Sequence, residues 1–159
     1  MKIRSVRANN RKRVFEVQMG KANLSFPYSK VSPQPTADNP MTALYVDKEI
    51  GMEGFTFVLR SGREGTIHGE QVLEYNQDPH YLRNALLYKL TLEAQRRVEA
   101  SALSKREIVR RLKTSATQFY RLLDQTNDRK SVDQLLALLH VLDSDNEFVV
   151  TPKTKAGGR

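Results

Sequence analysis

Apolar and polar residues alternate along much of the first half of the chain. Residues 15–19 place apolar side chains at every second position, and residues 22–26 repeat the alternation after the Gly20-Lys21 pair. A period of two on both sides of a short turn that contains glycine predicts a β-hairpin. Residues 53–67 carry a second hairpin signal, and residues 42–47 form a further β-prone run. We expect one sheet with few helices in this half.

A helical period replaces the alternation in the second half. From Tyr81 to about residue 100, apolar residues recur every four positions, which predicts a long helix. Ser104 stands three residues before a glutamate, the spacing of a capping box, and so predicts the start of a second helix. A third helix is expected to begin near Ser115, and Ser131 is expected to cap a fourth. Residues 147–151, "EFVVT", form a last β-prone run, for which pairing with the same run of a second copy and pairing with the N-terminal sheet both stay open.

These patterns predict an α+β protein in which two unlike parts follow each other. Residues 1–78 are expected to form a small β-rich N-terminal domain, and residues 79–150 an all-α domain. Three prolines fall within residues 29–41, so this segment is expected to be an irregular surface loop, since proline cannot pair within a sheet. Residues 151–159, small and basic, are expected to form a flexible tail.

Charge distinguishes the two halves further. The 159 residues carry a formal net charge of +8 and include no cysteine, which excludes disulfides and thiolate metal sites. Residues 1–81 hold 11 basic against 9 acidic residues, whereas residues 82–159 hold 15 against 9. The excess in the second half favours a polyanionic partner. No apolar run is long enough to span a membrane, and no signal sequence is evident, so we expect a cytoplasmic protein.

Residues 104–124, "SKREIVRRLKTSATQFYRLLD", combine two short helical patterns with six basic residues. Two helices joined by a tight turn are the plan of a helix-turn-helix unit, whose second helix enters the major groove of DNA. The side chains expected to face base edges are small or able to hydrogen-bond: Ala116, Thr117, Gln118, Tyr120 and Arg121. The groups expected to contact phosphates flank them: Lys105, Arg106, Arg110, Lys113, Ser115, Arg129 and Lys130.

The same stretch resembles the lambda-repressor-like (Cro/CI, xenobiotic-response-element) helix-turn-helix family, in the variety found in antitoxins of the host-inhibition-of-growth type. The matching positions are Ser104, Lys105, Glu107, Leu112, Thr114, Ser115, Arg121, Leu122, Leu123, Ser131 and Leu135. Val109 replaces the usual alanine, Lys113 the usual turn glycine, and Phe119 is bulkier than the usual residue. The resemblance implies that Ala116, Thr117 and Arg121 face bases. It also implies that Lys113 is strained or that the turn is shifted, because a left-handed conformation disfavours side chains.

The segments "IRSVRANNRKRVFEVQMGKANLSFPYS" and "VDKEIGMEGFTFVLRSGREGTI" faintly resemble a small bacterial domain of unknown function. This second resemblance implies a shape more than an activity. Some members of that group are fused to, or encoded beside, antitoxin-like regulators.

The sequence thus predicts a repressor that binds double-stranded DNA as a homodimer. Two alternatives stay open, an antitoxin that also binds a cognate toxin, and a regulator whose N-terminal domain senses a ligand. No enzyme, cofactor or metal site is predicted, because His68, His80 and His140 lie far apart and no catalytic motif stands out. An RNA-binding role finds little support, since few aromatic side chains accompany the basic stretch.

Overall fold

The computed structural model describes residues 1–153, in which six strands, five helices and a short 3-10 turn occur. The strands are β1 (Ile3–Asn9), β2 (Val14–Met19), β3 (Ala22–Pro27), β4 (Met41–Val46), β5 (Gly54–Leu59) and β6 (Glu64–His68). The helices are α1 (Gly69–Tyr75), α2 (Pro79–Ala100), α3 (Lys105–Leu112), α4 (Ala116–Leu123) and α5 (Val132–Val141). The chain divides into two compact units, Met1–Arg83 and a second that begins at Asn84.

The strands of the first unit form two antiparallel sheets, in the orders β1-β2-β3 and β4-β5-β6. Met19 pairs with Ala22, which leaves the predicted Gly20-Lys21 pair as a two-residue turn. Gly20 adopts a φ of 57°, a conformation that a side chain would strain. The second predicted hairpin is also confirmed, since β5 pairs with β6 through a turn in which Gly62 has a φ of 86°.

Both sheets contribute to one aromatic core. The ring of Phe15 on β2 lies 5.0 Å from Phe55 and 5.5 Å from Phe57, both on β5, and 4.8 Å from Tyr28. The three phenylalanines are fully buried, and burial of such a side chain contributes about 1.5–3 kcal/mol. The alternation in the sequence therefore marks the faces through which the two sheets bury each other's apolar side chains.

The predicted fold class is wrong. Residues 1–153 form a mixed structure of two three-stranded sheets and five helices, not a β-rich domain followed by an all-α domain. Helix α1 lies within the first unit, where Val72 and Leu73 enter the core that the sheets share. A seven-residue helix carries too few turns to show a clear helical period, so the sequence did not reveal it. We expected a single sheet in this half, but the strands form two sheets, because β3 and β4 do not pair.

Helices of the second unit pack around a core of their own. Its fully buried side chains include one from each of three short helices, Ile108 on α3, Phe119 on α4 and Leu135 on α5. Leu87, Ala94 and Val98 add the buried side of α2. The periodic apolar positions in the sequence thus form this core as expected, whereas polar residues between them remain at the surface.

Serine caps begin each of the three short helices, as the sequence predicts. Ser104, Ser115 and Ser131 accept hydrogen bonds from the backbone N–H groups three residues ahead, at 3.1, 3.1 and 3.3 Å.

The segment after α5 carried two further expectations, a β-prone run and a flexible tail. Residues 147–151 form no strand, and Phe148 and Val149 are 60% and 75% exposed. Most of the expected tail, residues 154–159, lies outside the described residues.

Candidate nucleic-acid interface

The turn between α3 and α4 forms without a glycine. Lys113 ends α3 in the left-handed region, with φ 54° and ψ 45°. Its backbone N–H donates to the carbonyl oxygen of Arg110 at 3.1 Å, and α4 begins only three residues later at Ala116. Lysine in this conformation costs about 1–2 kcal/mol relative to a right-handed residue. The structure thus keeps the turn at the expected position, and the resulting strain resides in Lys113.

Helix α4 presents a polar outer face. Phe119 and Leu122 are buried, whereas the residues between and before them are exposed. With about 3.6 residues per turn, the side opposite the buried pair carries Ala116, Thr117, Tyr120 and Arg121. Tyr120 is 55% exposed although it follows a fully buried phenylalanine. The structure therefore brings four of the five residues predicted to read bases onto one accessible face.

Gln118, the fifth residue predicted to read bases, lies at the margin of that face. It lines a polar groove of about 600 Å³ with Arg121, Asn127, Arg129 and Gln134. Asn127 and Gln134 were not singled out from the sequence, because they follow α4 by several residues and no local pattern links them to it. Gln134 also accepts a hydrogen bond from the backbone N–H of Ser131 at 3.3 Å, which fixes it at the start of α5.

Lys105 and Arg106 lie exposed in the first turn of α3, where they are free of ion pairs with other described residues. Arg110 differs, because its Nε donates to Glu107 at 2.9 Å, and Arg111 donates to the same carboxylate at 3.0 Å. These two guanidinium groups hold the pKa of Glu107 at about 2. The glutamate therefore stays charged, and it offsets part of the positive charge that Arg110 was expected to direct at phosphates.

Glu107 completes only half of the capping box that its spacing predicts. Its backbone N–H donates to the Ser104 hydroxyl, but its carboxylate turns to Arg110 and Arg111. Two charged donors on the same helix face form stronger hydrogen bonds than a single backbone N–H. The carboxylate thus holds two arginine side chains on the surface of α3, just before the turn at Lys113.

Lys130 is the clearest correction among the predicted phosphate contacts. It is only 5% exposed, and its ammonium group donates to the carbonyl oxygens of Leu122 at 2.9 Å and Asp124 at 2.6 Å. Burial lowers its pKa, against the opposing effect of the Asp124 charge. A lysine that satisfies the last carbonyls of α4 has its donors directed inward. Lys130 therefore closes the end of α4, and Arg129 is the exposed cation of this pair.

The Ser115 hydroxyl can act both as a helix cap and as a hydrogen-bond donor to a phosphate. Its hydroxyl oxygen accepts the backbone N–H of Gln118, so it caps α4. The hydroxyl hydrogen remains a donor at the helix N-terminus, where the helix dipole favours an anion. Capping and the predicted phosphate contact are thus compatible at this residue.

Within residues 1–153, no three His, Asp or Glu side chains meet as a set that could hold a metal ion. None of the helices in these residues is both long and apolar enough to cross a membrane.

Comparison with protein-family models, with curated proteins and with solved structures found no match to this chain. The resemblance to repressor-like proteins therefore stays a prediction.

Proposed function

We propose that the chain is a transcriptional regulator, a repressor that binds a specific sequence of double-stranded DNA as a homodimer. The observation that carries this proposal is the outer face of α4. Thr117, Tyr120 and Arg121 are exposed there beside Ala116, directly after a tight turn and above a buried, fully packed side. Side chains of this kind on the first turns of a helix can reach base edges in the major groove.

The fixed positions of α3 and α4 support the proposal as much as the chemistry of the exposed side chains does. Ile108 and Phe119 are both fully buried, so α3 and α4 hold each other in place. The hydroxyls of Ser104 and Ser115 cap both helices, and Lys130 closes the C-terminal end of α4. A recognition surface that is rigid before binding loses less conformational entropy when it meets DNA. Base contacts of this type require such positioning.

Cations around α4 supply the second part of the proposed interaction. Lys105, Arg106, Lys113 and Arg129 are exposed and lie on the segments that flank the helix. They suit phosphate contacts, which hold and orient a protein on DNA without reading its sequence. We propose the homodimer because one such helix covers only a few base pairs, and two copies match a palindromic site with half-sites one helical turn apart.

Fluorescence anisotropy with labelled duplexes tests the proposal. The purified protein is titrated with DNA from upstream of its own coding sequence and with shuffled DNA, each at two salt concentrations. We expect preference for the upstream duplex, and a loss of about 1–3 kcal/mol of that preference in the variant Arg121→Ala. Arg96→Ala is the matched control, since Arg96 is exposed on α2 and pairs with Glu93.

Two results would contradict the proposal. Equal affinity for upstream and shuffled DNA would remove sequence-specific binding. Equal losses from Arg121→Ala and Arg96→Ala would show that only net charge matters, so that α4 reads no bases. Light scattering at micromolar concentration tests the dimer separately, with an expected mass near twice 18.2 kDa.

A further inference from the structure

The first unit contains a cleft that the proposed DNA contacts do not use. It has a volume of about 240 Å³ and lies between the β1–β2 connection and the loop that precedes β4. Asn10 and Arg13 come from the connection, Pro35 and Pro40 from the loop, and Tyr28 from the segment after β3. The cleft is therefore built from three separate parts of the chain around a buried tyrosine.

Hydrogen bonds hold the loop side of the cleft in place. Asn39 exchanges backbone hydrogen bonds with Thr36 at 3.2 Å, and its side chain bonds to the Ser61 hydroxyl and backbone N–H, each at 3.0 Å. The backbone N–H of Arg60 donates to Pro40 at 2.9 Å. The proline-rich loop is thus anchored to the β5–β6 turn, and the cleft exists before any ligand enters, as binding sites generally do.

The tyrosine side of the cleft is equally well determined. Tyr28 is 3% exposed, and its ring packs edge-on against the buried ring of Phe15. The Tyr28 hydroxyl donates to Oδ1 of Asn10 at 2.8 Å. This bond orients the Asn10 amide, whose Nδ2 donors have no partner among the described residues. A hydrogen-bond donor is therefore fixed at the rim of the cleft.

Arg13 supplies a positive charge at the same rim. Its backbone lies in the left-handed region, with a φ of 56°, and its carbonyl oxygen accepts the backbone N–H of Tyr28 at 3.0 Å. The guanidinium group makes one long bond, 3.4 Å, to the carbonyl oxygen of Pro35. No ion pair among the described residues involves it, and Glu16, the acidic residue nearest to it in sequence, bonds to Arg7 and Asn9. Most of its donors thus remain available.

Apolar surface completes the cleft. Pro35, Ala37, Pro40 and Met41 line it together with Thr36. An arginine and an amide beside apolar surface match a ligand that has both a negative group and an apolar body. The planar, two-pronged geometry of a guanidinium suits a carboxylate. The volume lies below the range of about 300–1,000 Å³ typical for drug-sized ligands, which favours a small molecule.

We propose that this cleft binds a small organic carboxylate, whose charged group contacts Arg13 and Asn10 and whose apolar body rests on Pro35, Pro40 and Met41. The proposal does not depend on DNA binding. It gives the first unit a ligand site of its own and names the chemical class of that ligand.

Nuclear magnetic resonance titration of the full chain tests the proposal with named probes: acetate, isobutyrate and benzoate, the matched amides isobutyramide and benzamide, and inorganic phosphate. We expect isobutyrate or benzoate to shift the backbone resonances of Asn10, Arg13 and Met41. The matched amide should bind more weakly by roughly tenfold, because it lacks the charge that Arg13 recognises. Acetate and phosphate should also bind more weakly, because they lack an apolar body.

Variants separate this site from general attraction of anions. Arg13→Gln should weaken binding of the best carboxylate by roughly tenfold, whereas Arg11→Gln should leave it unchanged. Arg11 is an exposed cation in the same connection that does not line the cleft. Ala37→Phe should block binding by filling the cleft from its exposed side. Unchanged spectra of the remaining residues would show that each variant is folded.

Three outcomes would overturn the proposal. The first is that none of the carboxylates shifts the resonances of the lining residues. The second is equal weakening by Arg13→Gln and Arg11→Gln, which would indicate attraction to the hairpin as a whole. The third is that phosphate binds as tightly as the larger carboxylates, since the apolar wall would then contribute nothing.

Discussion

Within residues 1–153, two turns hold a basic residue in the left-handed region, and each lies beside one of the two candidate sites. Lys113 has a φ of 54° between α3 and α4, and Arg13 has a φ of 56° between β1 and β2. Polar, exposed side chains of α4 follow Lys113, whereas Arg13 adjoins a cleft with proline walls. The backbone conformation and the charge are the same in both places. The neighbouring surface determines whether the charge suits an extended polyanion or one small anion.

The buried support of α4 gives the largest expected effect. Phe119→Ala should lower the free energy of unfolding by about 3–5 kcal/mol, because the ring is fully buried and its removal leaves a cavity. Tyr120→Ala, at a residue that is 55% exposed, is the control and should change stability little. Urea denaturation followed by circular dichroism measures both. If the two variants behaved alike, the site after Lys113 would lack the rigid support that we assign to it.

Lys130 and Arg129 offer a second comparison within the same region. Lys130→Met should cost about 1–3 kcal/mol of stability, since the carbonyl oxygens of Leu122 and Asp124 would lose their donor. Arg129→Met should leave stability almost unchanged but reduce the salt dependence of DNA binding, as expected for a phosphate contact. Denaturation curves and anisotropy titrations at several salt concentrations separate the two roles. A salt slope reduced equally by both changes would contradict the structural role of Lys130.

Glycine substitutions compare the two turns directly. Lys113→Gly and Arg13→Gly should each raise stability by up to about 1 kcal/mol, because relief of the left-handed strain outweighs the greater entropy that glycine gives the unfolded chain. Only Arg13→Gly should weaken binding of the carboxylate probes, by at least as much as Arg13→Gln does, and only Lys113→Gly should reduce the salt dependence of DNA binding. Thermal denaturation and the two binding assays measure these effects. A loss of stability at either turn would show that the side chain makes a contact worth more than the strain.

Acid sensitivity around the first turn of α3 is the smallest expected effect. The pKa of Glu107 is about 2 in the folded chain, below its ordinary value of 4.5. Its contribution to stability is therefore complete above pH 4.5 and is lost as the pH falls towards 2. Glu107→Gln should be less stable than the parent chain near neutral pH, and the difference should shrink in acid. A difference that stays constant from pH 6 to pH 2 would contradict the effect of Arg110 and Arg111 on this carboxylate.

The elements that the sequence predicted well are those fixed by neighbouring residues. The Gly20-Lys21 turn is confirmed because its left-handed glycine and the alternation on either side are local features. The starts of α3 and α5 are confirmed for a similar reason, since Ser104 and Ser131 act on N–H groups only three residues away. The exposed face of α4 also follows from the helical spacing of its apolar residues, which is a local feature. The partners proposed for that face, DNA and a second copy of the chain, remain predictions.

Other features depend on tertiary contacts that no local sequence pattern reveals. The β-prone run at residues 147–151 forms no strand within the single chain, because β-prone residues form a strand only where another strand accepts their hydrogen bonds. Lys130 looked like an exposed cation, but its ammonium reaches carbonyl oxygens six and eight residues earlier in the chain. The cleft beside Arg13 was missed for the same reason. It requires Tyr28 and the proline-rich loop to meet the β1–β2 connection.

The sequence by itself determined where most helices and both hairpins lie, and it placed the polar side of α4. Hydrogen bonds to near neighbours and the periodic placement of apolar residues are sufficient for this, because both act within a few residues. Only the tertiary structure decided that the first unit has two sheets and a helix, that Lys130 is buried, and that Arg13 borders a cleft. Each of these results depends on which surfaces pack together. The residues that meet through packing are not linked by any periodic or local pattern in the sequence.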